Sequence, residues 1–150
     1  MIILRFMTFS AFLFGFAGFS QGLASENLRF DAPVSLSSLK KLELHISQTL
    51  EQSISAFEVA PTDLNGDGLY EFILRSKDCQ QALQCRFIVF GETDEGVLLL
   101  GEMTGHNVLL GNDSSYGVRN LLIYSNAVND YDYELLRWDP RHSEYRKAGL

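Results

Sequence analysis

The sequence predicts an α+β domain: an N-terminal amphipathic helix packed on a curved antiparallel β-sheet, with a sandwich of two sheets as the alternative. Three observations carry this. A helical period is confined to one stretch near the N-terminus, and beyond it the chain consists of short runs rich in β-branched and aromatic residues, separated by Gly, Asn and Asp. No second helical period interrupts those runs, so parallel strands with helical crossovers are not expected, and sequential antiparallel pairing is.

The helix is read from "SLSSLKKLELHISQTLEQSI". Leu36, Leu39, Leu42, Ile46, Leu50 and Ile54 recur at steps of three and four, while Lys40, Lys41, Gln48, Glu51 and Gln52 fall mostly on the opposite side. Ser35, Ser37 and Ser38 offer a choice of N-cap. Strands are expected near 56–60, 69–75, 85–91, 96–103, 106–110, 118–124, 131–138 and 144–148. The last two form a hairpin turning at Pro140 to Ser143. Trp138, Tyr131, Tyr133 and Tyr145 gather on this hairpin, where aromatic strands are more often half core than an exposed binding platform.

Ahead of the helix, residues 1–24 have one basic residue, Arg5, then an apolar run from Phe6 to Phe19, then small residues at Gly22 and Ala24. This is the layout of a secretory signal peptide. The competing reading is an uncleaved anchor, but the run is short for a span, which needs about 20 apolar residues. The expected organisation is a signal peptide over 1–24, a mobile lead-in over 25–34, and one α+β domain over 35–150, periplasmic or secreted. The mature chain would keep 126 residues, enough for its own core.

The whole chain carries 12 basic and 19 acidic residues, net −7, and no basic run. That argues against nucleic acid or an anionic membrane as partner and suits a soluble protein that meets cations. No stable membrane insertion is expected once the signal is removed.

Cys79 and Cys85 are separated by five residues. In an exported chain such a pair is expected to form a disulfide, closing a short loop for about 2–3 kcal/mol. A redox pair is the alternative, but the spacing is not Cys-x-x-Cys, and two cysteines are too few for structural zinc.

The stretch that points to chemistry is "TDLNGDGLYEFIL", residues 62–74. Asp63, Asn65 and Asp67 stand at positions 1, 3 and 5 of a loop. Leu69 could give a carbonyl from position 7 and Glu71 a carboxylate from position 9. Alternating oxygen donors in a tight loop are what a Ca²⁺ ion takes, and a loop without His or Cys disfavours zinc or copper. Gly66 and Gly68 supply the sharp bends. An EF-hand would need Glu at position 12, where Leu74 stands, and helices on either side. The plainer reading is a hairpin turn, for which Asn-Gly and Asp-Gly suffice, but a turn does not need acids at positions 1 and 9 as well.

"DLNGDGLYEF" resembles the calcium loop of FG-GAP and VCBS-type repeats, D-x-[DN]-x-D-G-x-x-[DE], present here in one copy. More loosely, Phe57 to Tyr145 is similar to small exported bacterial proteins of unassigned activity. These pair such a segment with a cysteine-bracketed loop and a later strand, here "YGVRNLLIYS". The resemblance implies Asp63, Asn65, Asp67, Leu69 and Glu71 as ligands of one structural Ca²⁺, and it implies the Cys79–Cys85 loop. It implies no reaction.

No other constellation competes. His45, His106 and His142 lack metal-ligand spacing, no serine lies in a nucleophile elbow, and the acid pairs Asp94–Glu95 and Asp130–Asp132 read as solvated loop charge. The expectation is an exported, non-enzymatic protein with one structural Ca²⁺ loop. The alternative is a protein-partner module, such as an envelope adaptor or an inhibitor of a secreted hydrolase, with a partner the sequence does not name.

Overall fold

A computed structural model of the chain describes residues 25–80, 84–126 and 132–149. The expected signal segment lies outside these residues, as do Tyr131 and residues 81–83 of the cysteine loop. The elements in order are β1 (Ser25–Asn27), α1 (Leu36–Thr49), β2 (Phe57–Thr62), β3 (Glu71–Ser76), β4 (Cys85–Glu92), β5 (Val97–Gly105), β6 (Asn107–Ser115), β7 (Val118–Tyr124), β8 (Tyr133–Asp139) and β9 (Glu144–Lys147). Two 3-10 turns, Ile54–Ala56 and Lys77–Gln80, precede β2 and follow β3. The described residues are thus mostly antiparallel β-sheet with one α-helix, consistent with the α+β class.

The strands divide between two sheets, as in the sandwich alternative, instead of forming a single curved one. A four-stranded sheet runs β2-β3-β4-β5, and a five-stranded sheet runs β1-β6-β7-β8-β9. Every pairing is antiparallel. The passage from one sheet to the other is the short step from β5 to β6. At its start Gly105 lies so close to Ile123 and Tyr124 of β7 that a Cβ would collide with them, and His106 N–H donates to the Tyr124 carbonyl at 2.7 Å. A side chain at 105 would push the two sheets apart.

Alternation along β3 and β4 shows why one sheet would not suffice. Ile73, Phe87 and Val89 belong to one buried cluster, with Leu110, Leu121, Ile123, Leu136 and Tyr145 of the five-stranded sheet. Their neighbours Phe72, Leu74, Ile88 and Phe90 belong to a second, with Leu42 and Ile46 of α1 and Phe57 of β2. A strand whose successive side chains are all apolar needs cover on both faces. Pro61 is tolerated in β2 because that strand is the sheet's edge.

Ser35 is the serine that caps α1, its Oγ accepting from Ser38 N–H at 3.1 Å. Ser38 Oγ donates to Glu92 Oε2 at 2.7 Å, and Lys41 Nζ donates to Glu92 Oε1 at 2.9 Å and to the Thr93 carbonyl at 2.7 Å. Lys41, expected on the solvent side, instead ties the helix to the end of β4.

The lead-in contains a short strand. Ser25–Asn27 pairs with Leu109–Gly111 of β6 as β1, and Glu26 meets Arg119 at 2.9 Å. Three polar residues form this strand because an edge needs backbone partners and no apolar face. Further on, Leu28 and Phe30 pack against the first cluster, and the Arg75 guanidinium lies 4.1 Å from the Phe30 ring centre. Cys79 and Cys85 are joined in a disulfide with Cα atoms 4.7 Å apart, bracing the return from β3 into β4. No helix among the described residues is long and apolar enough to cross a membrane.

Candidate metal centre

The loop of residues 63–70 joins β2 to β3, so it is the connection of an antiparallel pair in which Thr62 lies opposite Glu71. Leu64 anchors it. Its side chain is 1% exposed, in the cluster between the sheets, its N–H donates to Glu71 Oε2 at 2.7 Å, and its carbonyl accepts from Arg119 N–H at 2.7 Å. Around this anchor the chain curls through Gly66 (φ 74°) and Gly68 (φ 84°). Both would leave a Cβ in open space, so it is the left-handed backbone that calls for glycine, not lack of room.

The expected ligand residues lie as follows. Asp63 accepts from Gly66 N–H (2.7 Å, Oδ1) and Gly68 N–H (3.1 Å, Oδ2). Asn65 Oδ1 accepts from Asp67 N–H at 2.9 Å, and Asp67 Oδ1 from Leu69 N–H at 2.7 Å. Asn65 Nδ2 donates to Asp67 Oδ2 at 2.9 Å and reaches Glu71 Oε1 at 3.4 Å. The side chains of Asn65, Asp67 and Leu69 are exposed, while Glu71 is 8% exposed. Among the described residues, no three His, Cys, Asp or Glu side chains come together as a group that could hold a metal. The loop's oxygens are spent on its own N–H groups, one per oxygen, and a carboxylate oxygen with one N–H partner keeps a second lone pair.

The electrostatics centre on Glu71. Burial pushes its carboxyl up from the ordinary value. The Leu64 N–H opposes this, and the charges of Asp67 and Asp63 add to it. None of the ion pairs within the described residues includes Asp63, Asp67 or Glu71. Burial also raises the Tyr145 hydroxyl, with the charge of Glu71 adding to the effect. Tyr145 OH donates to the Arg119 carbonyl at 2.8 Å, so β9, β7 and the loop anchor are linked through main chain. Arg119, Tyr145 and Leu64 were not legible as site residues. Only Leu64 left a hint, as an apolar side chain between two polar ones in a loop.

The histidines serve elsewhere. His45 makes an edge contact with Phe90 at 5.2 Å, and His142 Nδ1 lies 2.8 Å from Asp139 Oδ2 in the β8–β9 turn. Of the hairpin aromatics, Trp138 and Tyr145 meet edge to face at 5.6 Å and belong with the core between the sheets, whereas Tyr133 pairs with Tyr124 at 5.7 Å. Comparison with known protein families, with curated proteins and with solved structures returned no match.

Proposed function

We propose that this chain is an exported, non-enzymatic protein, periplasmic or secreted, in which residues 63–71 hold one structural Ca²⁺ ion. α1 is taken as covering the outer face of the four-stranded sheet. The observation that supports the metal is the buried carboxylate of Glu71, met by amide donors but by no cationic side chain among the described residues, in a loop with two more acids. A carboxylate removed from water is costly unless a cation or strong donors meet it. The residues fit a hard cation: three carboxylates, one amide and a main-chain carbonyl at Leu69, with no soft ligand. On binding, Asp67 would exchange its contact with Asn65 Nδ2 for the ion, and Glu71 would keep Leu64 N–H on Oε2 while offering Oε1. The ion would neutralise the acids and stiffen the β2–β3 connection.

Calorimetric titration of the chain from Ser25 onward tests this. One Ca²⁺ per chain is expected, with the heat lost in a D63N/D67N variant. Absence of heat in the parent protein refutes the metal.

A second reading, a protein-partner module, draws on the exposed side chains of Leu69 (64%) and Tyr70 (57%). These line a groove together with Ser35, Ser37 and Lys41 near the start of α1. A pull-down from envelope extract that returned no partner would count against it.

A further inference from the structure

Behind the loop lies a cavity of about 250 Å³, walled by Leu64, Leu100, Val118 and Trp138, with Leu98 at its rim and Glu71 among its lining residues. The walls are mainly apolar, and no Lys, Arg or His among the described residues lines it. Its other acid, Glu92, is already neutralised by Lys41 at 2.9 Å. Among the described residues, Glu71 is therefore its one charge without a counter-ion. Its Oε2 accepts from Leu64 N–H at 2.7 Å, Asn65 Nδ2 approaches Oε1 at 3.4 Å, and the residue's own N–H also meets the carboxylate, so its donors are neutral amides.

A small apolar cavity lined by one carboxylate and an indole selects a ligand with an apolar body and a cationic donor head. The ammonium can donate to the Glu71 carboxylate, the indole attracts a cation, and the aliphatic tail meets the leucines and Val118. We infer that this cavity is a binding site for a small primary alkylammonium compound, with Glu71 as counter-ion and Trp138 as wall. The inference goes beyond the calcium reading and does not rest on it, although both draw on Glu71.

Trp138 is the only tryptophan in the sequence, so its fluorescence reports occupancy directly. The protein is titrated in EDTA at pH 7 with hexylammonium and, separately, with hexan-1-ol. The expected result is a saturable change with hexylammonium at least tenfold tighter than with the alcohol. Glu71→Gln should bring the two ligands to similar affinity. Leu98→Lys, a change at an exposed position on the rim, should weaken hexylammonium far more than hexan-1-ol and serves if the first variant does not fold. D63N/D67N, which tests the calcium reading, should leave hexylammonium binding in place, so that the two ideas fail separately. No saturable change, equal affinity for the two probes in the parent protein, or a preference that survives Glu71→Gln would overturn the inference.

Discussion

Glu71 has two roles that pull against each other. Its Oε2 holds the loop through Leu64 N–H, while its charge sits under cover with no base beside it. Glu71→Gln keeps an acceptor for Leu64 N–H and removes the buried charge. In EDTA at pH 7 its thermal midpoint should therefore equal or exceed that of the parent protein, while any rise produced by Ca²⁺ should vanish. A midpoint well below the parent's in EDTA would mean that the charge itself stabilises the fold. Leu64→Ala removes a side chain that is 1% exposed and leaves a cavity, so urea unfolding should show a loss of about 2–5 kcal/mol. The acids of this loop were legible because their spacing is a local property. The inward turn of Leu64 was not, since it depends on the core of the second sheet, which is built from residues more than 40 positions away.

At the scale of elements, Lys41 and Glu92 fasten α1 to the end of β4. The hydrogen bond from Lys41 is the main cause that holds the Glu92 carboxyl below its ordinary value of 4.5, with Ser38 adding to it. A carboxylate whose folded value is depressed contributes stability above its unfolded value, and that contribution is lost as pH falls through the folded one. The pair is partly exposed, so Lys41→Ala should cost about 0.5–1 kcal/mol at pH 7. The cost should shrink as pH is lowered below 4.5, read from urea midpoints at the two pH values. A cost independent of pH would place the effect in lost packing of the lysine stem.

The helix itself was legible from its period. Leu36, which the pattern put on the buried face, is 78% exposed, because it stands in the first turn beyond the edge of the second cluster. β1 left no signal, being three polar residues whose only reason for extension is the backbone of β6. β6 likewise runs past the expected residue 110 through Gly111–Ser115, where pairing with β7 around Tyr116 (φ 54°) and Gly117 (φ 82°) carries the strand into polar sequence.

For the whole molecule, two sheets closed around one core hold β2, β3 and β7 in fixed positions, and the loop hangs between them from Leu64. Antiparallel pairing and the α+β class followed from the texture of the runs. The choice between one curved sheet and two did not, because unbroken apolar sequence in β3 and β4 marks burial on both faces without saying what provides it.

The claim that this scaffold presents a calcium loop is tested most directly by following the backbone amide resonances of Gly66, Gly68 and Leu69. These N–H groups donate to Asp63 and Asp67, so coordination of those carboxylates must alter them. Ca²⁺ added to the cation-free protein should shift all three, saturating at one equivalent, with a parallel rise in melting temperature. Resonances that stay in place at millimolar Ca²⁺, with an unchanged melting temperature, would contradict a metal at this loop.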